Sequence, residues 1–162
     1  MACTERRFAE AGLTLAEEPF DGPGAAVLFP KYVAAIQELY PDWGPQVPPT
    51  LTAEDVEPPH GRWLVAYRDG EPVGCAALKR LDHDAAELKR LYVVPEARGA
   101  GNAKALIGRL ERIARGAGYS VIRLDTGSRQ PQATALFHSS GYEPISDYNR
   151  NPVAAFWFEK RL

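Results

Sequence analysis

The sequence predicts a mixed-sheet α/β (α+β) domain, and three observations support this class. Two apolar runs joined at Asp69-Gly70 predict an antiparallel hairpin, because this dipeptide suits the positive φ angles of a tight turn. An amphipathic helix after the next strand leads into a further strand, which is typical of a crossover connection. A length of 162 residues, of which 45% are hydrophobic, fits one domain spanning residues 1–162.

The N-terminal elements have weaker patterns. Partial alternation predicts a first strand over 13–20, and apolar residues at helical spacing predict a helix over 25–40, which Pro30 either begins or kinks. A proline- and glycine-rich region follows. Within it, Thr52 and Asp55 have the spacing of a capping box, with Asp in place of the usual Glu, and they predict one short helix.

The remaining elements have clearer boundaries, and glycines or prolines separate several of them. The helix that starts at Gly101 carries apolar residues on one face and ends at Gly116 or Gly118. The predicted elements are a hairpin over 62–81, a strand over 86–94, this helix, a strand over 119–126, a helix over 131–140 and a strand over 154–162.

Composition excludes several classes of protein. The net charge of −2 lacks the basic character that nucleic acid binding requires. The two cysteines, Cys3 and Cys75, have neither metal-ligand spacing nor a disulfide framework, which indicates a reducing cytosol. No apolar window is long enough to cross a membrane or to form a signal peptide. We therefore expect a cytoplasmic protein with no metal, no nucleic acid partner and no membrane association.

The stretch RGAGNA, residues 98–103, lies between a predicted strand and a predicted helix. Glycines there leave the first backbone N–H groups of the helix unpaired and unobstructed, which makes an anion cradle to which Arg98 can add a bidentate contact. The alternative is a tight turn that uses glycine only for its φ angles. Two other phosphate motifs are excluded by spacing, since Lys104 stands where a dinucleotide fingerprint has its third glycine.

This region resembles the GCN5-related N-acetyltransferase (GNAT) superfamily. The superfamily's loop is Arg or Gln, two residues, Gly, one residue, then Gly or Ala, which Arg98, Gly101 and Ala103 satisfy. The later run QPQATALFHSSGYEPI resembles the second cofactor motif, with Gln130 at its Asn position and Phe137 at its Tyr position. The two motifs occur in the correct order and at the correct separation, and the similarity covers roughly residues 61–162.

The resemblance implies a fold and a cosubstrate. It implies a sheet of about six to seven strands, flanked by about four helices and splayed at an acetyl-CoA site. It places the pyrophosphate on the loop and the pantetheine beside the preceding strand, where its amides can pair with an exposed strand edge. The cofactor-binding residues implied are Tyr92, Val93, Val94, Arg98, Gly99, Ala100, Gly101, Asn102, Ala103, Gln130, Phe137 and His138.

The chemistry implied is direct acetyl transfer, which needs a base. Glu87 is the candidate, because it matches a position where some superfamily members carry their base and, by the two-residue period of a strand, shares a face with Leu91 and Val93. The alternative is a surface glutamate paired with Lys89 or Arg90. Backbone N–H groups near Leu91 are expected to stabilise the oxyanion.

The proton donor is absent from its usual position, because Phe137 has no hydroxyl. His138, Tyr142 and Tyr148 are substitutes in the sequence, and solvent protonation of a departing thiolate is a further alternative. Cys75, in an apolar run, is expected to be a buried structural thiol rather than a nucleophile.

These observations favour an acetyl-CoA-dependent N-acetyltransferase that acts on the primary amine of a small or amino-acid-like molecule. Acetylation of a protein or peptide and a non-catalytic acyl-CoA-binding module are the alternatives. Tyr40 and Trp43 either line the acceptor pocket or pack a loop. The apolar strand 154–162 either pairs across a homodimer by an exposed edge or lies inside the sheet.

Overall fold

The structure is a computed structural model that describes residues 12–43 and 51–162. The expectations for Cys3 and for the segment 44–50 lie outside the described residues. Within them the chain forms seven strands and three α-helices, with 3-10 turns at Glu54–Val56 and Pro95–Ala97. The strands are β1 (Leu13–Glu17), β2 (Arg62–Arg68), β3 (Glu71–Arg80), β4 (Ala85–Val93), β5 (Val121–Thr126), β6 (Glu143–Ile145) and β7 (Phe156–Arg161).

All seven strands belong to one sheet in the order β1-β2-β3-β4-β5-β7-β6. Every neighbouring pair is antiparallel except β4 and β5, which are parallel. The predicted mixed sheet is confirmed. So is the hairpin between β2 and β3, where Asp69 and Gly70 have φ values of 51° and 84°, the positive values that a two-residue turn requires.

Three helices cover the sheet: α1 (Pro23–Leu39), α2 (Asn102–Gly116) and α3 (Pro131–Ser139). Helix α1 packs on one face, where Gly24 sits against Val65, and α2 packs on the other, where the Leu106 side chain approaches Gly74. The core between these layers contains large side chains that are less than 2% exposed, among them Leu64, Leu78, Leu106, Leu110, Ile122 and Leu124.

The N-terminal predictions need adjustment at their boundaries. Helix α1 begins at Pro23, because the first helical position needs no N–H group, and Pro30 lies inside the helix rather than at its start. The capping box is confirmed: the Thr52 N–H donates to Asp55 Oδ2 at 2.8 Å and the Asp55 N–H donates to Thr52 Oγ1 at 3.3 Å.

The C-terminal part of the sheet differs from the expectation. Strand β6 was not predicted, because its three residues contain Pro144 and show no alternation. It pairs with Trp157, Phe158 and Glu159 of β7, so that β7 lies between β5 and β6. Of the two alternatives for residues 154–162, the structure shows the internal strand.

Candidate active site

A gap opens in the middle of the sheet where β4 and β5 separate. The two strands pair only at Ala85–Glu87 with Val121–Arg123. Beyond Glu87 each strand therefore has one edge that no other strand of the sheet pairs with. The splay that the sequence resemblance implied is present, and it makes backbone N–H and C=O groups of β4 available to a ligand.

A β-bulge bends β4 beside this gap. Cys75 pairs with Tyr92 and Ala77 pairs with Lys89, so that Arg90 and Leu91 together lie opposite one residue of β3. Arg90 has a φ of 52°, an uncommon value for a residue other than glycine. Bulges of this kind re-aim side chains and are frequent beside active sites.

The bulge corrects one prediction about Glu87. Residues that pair across neighbouring strands share a face, and Glu87, Lys89 and Tyr92 pair with alternate residues of β3, whereas Val93 pairs with a residue of the other set. Glu87 therefore faces the α1 side of the sheet, together with Tyr92. The prediction that Glu87 shares a face with Val93 is wrong, because the extra residue of the bulge reverses the alternation.

Two cavities meet at the gap. The larger cavity, of about 800 Å³, lies between the end of β4, helix α1, the loop at 98–103 and the start of α3. The smaller cavity, of about 340 Å³, lies between α1, Lys89–Leu91, Asp125–Gly127 and the loop that precedes β7. Both are lined by Tyr32, Ile36, Leu91, Gln130 and Ala133, which form the boundary between them.

The loop at 98–103 has the backbone geometry of an anion cradle. Gly99 and Gly101 have φ values of 79° and 82°, and a Cβ atom on either would meet no other atom within 4 Å, so both open onto free space. The first N–H groups of a helix have no intrahelical acceptor, and the earliest bond back in α2 runs from Ala105 to the Gly101 carbonyl at 3.0 Å. The positive end of the α2 dipole adds to the attraction for an anion.

Asn102 holds this loop in place. Its side chain is 2% exposed, donates to the Ala97 carbonyl at 2.9 Å and accepts from the Arg68 guanidinium at 3.0 Å. The Arg98 Nε group donates to the Val93 carbonyl at 3.0 Å, which leaves the terminal amino groups of Arg98 for a ligand. The Asn102 side chain thus shapes the cradle from behind, and only its backbone is available at the front.

Two cations that sequence reasoning missed also line the larger cavity, Lys104 and Arg129. Lys104, in the first turn after the loop, adds to Arg98 a second positive charge that suits phosphate groups. The signal for Lys104 was present in the sequence, since it stands in the first turn after the loop. Arg129 lies in the loop before α3 and contacts the end of α1, where it donates to the Leu39 carbonyl at 2.9 Å and lies 3.6 Å from Asp42.

The other predicted cofactor-binding residues fall into three groups. Tyr92, Val93 and Ala103 line the larger cavity and Gln130 lines both, whereas Val94 is buried and Ala100 is an exposed loop residue that lines neither. Phe137 is 4% exposed and lines the smaller cavity. His138 is exposed on the outer side of α3, packed edge-on against Phe158, and lines neither cavity.

Glu87 is buried at the base of the gap with 3% of its surface exposed. Its carboxylate accepts from the Tyr148 hydroxyl at 2.5 Å and from Asn149 Nδ2 at 3.2 Å, and the Lys89 ammonium lies 3.4 Å away. Burial, and then the neighbouring Glu87 charge, raise the pKa of Tyr148, so that this phenol stays protonated. Glu87 does not itself line either cavity, although Lys89 beside it lines the smaller one.

A second carboxylate, Asp125, lines the smaller cavity directly from the end of β5. It accepts from Asn149 Nδ2 at 2.5 Å and from Asn151 Nδ2 at 3.3 Å, so that Asn149 bridges Glu87 and Asp125 across the gap. Sequence reasoning missed Asp125, because one aspartate at the end of a strand carries no motif. Only the separation of β4 and β5 brings it opposite Lys89.

The substitutes for the missing tyrosine hydroxyl are all engaged or distant. Tyr142 is 2% exposed and its hydroxyl donates to Glu111 on α2 at 3.4 Å. The Tyr148 hydroxyl is bound to Glu87. His138 points away from both cavities. None of the three is placed to donate a proton into the boundary between the cavities.

An aromatic pair closes the smaller cavity near the C-terminal end of α1. Tyr40 is buried and stacks on Trp43 with ring centroids 3.8 Å apart, and Trp43 lines the cavity. The Tyr40 hydroxyl donates to Gln130 Oε1 at 3.2 Å, which ties α1 to the loop before α3. A side chain on Gly127 would collide with the Tyr40 hydroxyl, which explains glycine there.

Cys75 has the features of a structural thiol. It is fully buried, its Sγ donates to the Arg90 carbonyl at 3.5 Å, and burial raises the pKa of the thiol to about 12. Across residues 12–43 and 51–162, no three His, Cys, Asp or Glu side chains are grouped as they would be to hold a metal ion. Over the same ranges, no helix combines the length and the apolar character needed to cross a membrane.

Fold and site together define an acyl-CoA-dependent transferase of the N-acetyltransferase class, and comparison with known proteins gives the family. The model of the Acetyltransferase (GNAT) family matches residues 30–142. The chain therefore belongs to this family of N-acetyltransferases, as the two motifs at 98–103 and 130–142 predicted.

Individual proteins give the same result. The chain is 37% identical over 117 residues, 69% of its length and 75% of the relative's, to an IAA acetyltransferase of Azospirillum brasilense. A Klebsiella pneumoniae structure described as a putative acyl-CoA N-acyltransferase superposes with a TM-score of 0.71 at 26% identity, covering 94% of this chain and 99% of that one. The PaiA N-acetyltransferase of Thermoplasma acidophilum, solved with coenzyme A, has the same fold at 17% identity with a TM-score of 0.70, covering 93% and 99%.

Proposed function

We propose that the protein transfers the acetyl group of acetyl-CoA directly to the primary amine of a small-molecule acceptor. The observation that carries this proposal is the shared boundary of the two cavities at the gap between β4 and β5. A thioester carbonyl delivered along β4 from the larger cavity meets an amine held in the smaller one. Such a juxtaposition converts a bimolecular reaction into an intramolecular one.

The loop at 98–103 fits the diphosphate of acetyl-CoA. Its amides stand unobstructed at two glycines with positive φ, and Arg98 and Lys104 supply positive charge around them. The unpaired edge of β4 at Tyr92 and Val93 suits the two amides of the pantetheine arm. We assign the loop residues 98–103, together with Tyr92, Val93 and Gln130, to binding this cosubstrate, whereas Val94, whose N–H donates to the Val73 carbonyl at 2.9 Å, is buried behind them.

The chain's own residues supply the base and the oxyanion donor. Glu87 accepts the amine proton through an intervening water, because its carboxylate lies behind the wall of the smaller cavity. Asp125, which lines that cavity, orients the acceptor amine. The backbone N–H of Leu91, at the bulge, stabilises the oxyanion of the tetrahedral intermediate. No acyl-enzyme forms on Cys75, since a buried neutral thiol is not a nucleophile.

A small acceptor is favoured over a peptide by the volume of the smaller cavity, about 340 Å³, which is at the lower end of the range for small-molecule sites. The name of the Azospirillum brasilense relative, an IAA acetyltransferase, also supports a small-molecule acceptor.

The experiment is a coenzyme A release assay with acetyl-CoA over a panel of amines, amino acids and short peptides, with products identified by mass spectrometry. N-acetylation of at least one small amine is expected. Turnover confined to peptides would show that the acceptor is a peptide rather than a small molecule. Coenzyme A binding without any turnover would favour the non-catalytic binding module. An Asp125→Asn variant is expected to raise the acceptor KM, while the KM for acetyl-CoA is unchanged.

A further inference from the structure

Arg90 stands at the bulge of β4 and lines the smaller cavity. Its guanidinium carbon lies 5.2 Å from the centre of the Phe29 ring and 5.8 Å from the centres of the Phe20 and Tyr32 rings. These three aromatic side chains hold the guanidinium in place by cation–π contacts. Phe20 and Phe29 have no hydrogen-bond acceptor, and Tyr32 contacts the guanidinium through its ring, so these contacts leave the five N–H groups of Arg90 for other partners.

The charge of Arg90 is uncompensated within the part of the chain that the structure describes, where its side chain has no carboxylate and no hydrogen-bond partner. The neighbouring charged side chains, in contrast, have partners within the protein. Lys89 lies 3.4 Å from Glu87, and Asp125 is held by Asn149 and Asn151. A half-buried cation without an anion costs free energy. Arg90, which lines the smaller cavity, therefore carries a positive charge that no carboxylate of residues 12–43 and 51–162 pairs with.

We infer that Arg90 receives the carboxylate of the acceptor, which makes the acceptor class a small molecule with both a primary amine and a carboxylate. This rests on the proposed function and narrows it. The guanidinium on β4 and the Asp125 carboxylate on β5 give the two sides of the cavity opposite charge, which matches an amino-acid-like molecule. A planar guanidinium recognises a carboxylate by two parallel hydrogen bonds.

The test compares acceptors and variants together. The acceptors are an amino acid, its carboxamide, the corresponding amine without the carboxylate, and the aminophosphonate, each at several chain lengths. Wild type is expected to favour the amino acid in kcat/KM. Arg90→Gln is expected to raise KM for the amino acid about 10- to 100-fold, as expected for losing a bidentate charged contact, and to leave KM for the amine without the carboxylate unchanged.

Arg90→Lys keeps the positive charge but lacks the planar guanidinium that makes two parallel hydrogen bonds. Its KM for the amino acid is expected to lie between those of wild type and Arg90→Gln, which shows that the effect comes from carboxylate recognition and not from misfolding. The inference is overturned if wild type prefers the carboxamide or the amine without the carboxylate, or if Arg90→Gln changes KM equally for all acceptors. A preference for the aminophosphonate would also overturn the inference, because Arg90 would then receive an anion other than a carboxylate. If no acceptor is turned over, the proposed function fails, and thermal shifts with each acceptor plus coenzyme A still measure carboxylate binding at Arg90.

A separate observation concerns the proton donor that Phe137 cannot supply. Among the five residues that line both cavities, only Tyr32 has a side-chain hydroxyl, and the Gln130 carboxamide is already bonded to Tyr40. Over the described ranges the Tyr32 hydroxyl has no hydrogen-bond partner. Its ring packs edge-on against Tyr92, with centroids 5.9 Å apart. Burial raises the pKa of Tyr32 and the nearby Arg90 charge opposes this, so that the phenol is protonated at neutral pH.

The geometry points to Tyr32 as the group that protonates the departing thiolate. The amine nitrogen forms the C–N bond and the C–S bond breaks. The sulfur takes the phenol proton to become the thiol of coenzyme A, and solvent then reprotonates the phenolate. The amine proton leaves toward Glu87, so that each turnover moves one proton from acceptor to thiol overall.

The test removes the hydroxyl of Tyr32 and then adds a hydroxyl at position 137. Tyr32→Phe is expected to lower kcat about 10²-fold or more with the dissociation constant of acetyl-CoA unchanged. Adding Phe137→Tyr, which puts a hydroxyl at the position the family motif uses, is expected to restore part of that loss. Tyr119→Phe, which removes a hydroxyl bonded to the His60 carbonyl far from the gap, is the control. Full kcat in Tyr32→Phe, or a loss confined to acetyl-CoA affinity, would exclude the role.

Discussion

Replacing Gly101 with valine tests the cradle, and the same helix offers a matched control. Gly101 precedes α2 with a φ of 82° and Gly118 follows it with a φ of 90°, and a Cβ atom on either would meet nothing within 4 Å. A side chain in this left-handed region costs roughly 1–2 kcal/mol. Both variants are therefore expected to lose similar stability, a fall in Tm of about 2–4 °C for each kcal/mol.

Their ligand affinities are expected to differ. Valine at 101 obstructs the amides that face the diphosphate, and losing two hydrogen bonds to a charged group costs about 3 kcal/mol or more, which is about 10²-fold in affinity. At a coenzyme A concentration a hundred times the wild-type dissociation constant, ligand binding contributes about 2.7 kcal/mol to stability. For Gly101→Val the same concentration contributes only about 0.4 kcal/mol.

Thermal unfolding with and without coenzyme A measures this directly. Wild type and Gly118→Val are expected to show the same ligand-induced rise in Tm, roughly 5–10 °C, and Gly101→Val a rise of about 1 °C. Titration calorimetry gives the dissociation constants independently. An unchanged rise in folded Gly101→Val, or an equal loss in both variants, would refute the cradle assignment.

Three further predictions concern other sites. Glu87→Gln is expected to lower kcat about 10²–10⁴-fold without changing acetyl-CoA affinity. The control is Glu111→Gln, which alters a buried carboxylate on the α2 side of the sheet that contacts Tyr142 and Lys160 and is expected to lower stability only. Full turnover of both variants in steady-state kinetics would contradict the role of Glu87. Because the pKa of Cys75 is raised to about 12, iodoacetamide at pH 8 is expected to leave it unmodified until the protein is denatured, as peptide mass spectrometry would show; modification of the native protein would contradict its burial. Thr52→Ala is expected to lower Tm by about 2–4 °C, because it removes the acceptor of the Asp55 N–H group, Thr52 Oγ1, and keeps the backbone bond from the Thr52 N–H to Asp55 Oδ2. Burial raises the pKa of Asp55, but hydrogen bonds from the backbone and the side chain of Thr52 and the Lys79 charge outweigh it and hold that pKa below its ordinary value. The contribution of the Thr52 side chain is therefore present near neutral pH, and the difference between wild type and variant is expected to shrink as pH falls through the Asp55 pKa in calorimetry.

Local signals in the sequence were enough to predict much of the fold. The Asp69-Gly70 turn, the apolar face of α2 and the capping box at Thr52 depend on neighbours within a few residues, so their physical causes are contained in short stretches. The glycine loop at 98–103 belongs to the same group, since positive φ and unpaired helical N–H groups are local properties.

Strand β6 and the place of β7 could not be predicted in the same way. A three-residue strand with a proline has no periodicity, and it exists because β7 offers it a partner. Whether Glu87 and Val93 share a face depended on one extra residue at the bulge. Hydrophobic alternation does not reveal that residue, because Arg90 and Leu91 together lie opposite a single position of β3.

The sequence by itself determined the family, the anion cradle and the absence of a motif hydroxyl at Phe137. Only the tertiary structure decided which side chains meet at the gap: Tyr32 comes from α1, Arg90 from β4 and Asp125 from β5. These residues are distant in the chain, and no local pattern couples them. They converge because β4 and β5 stop pairing after Glu87. The point at which two distant strands stop pairing is set by the packing of the whole sheet, and neither strand's sequence determines it alone.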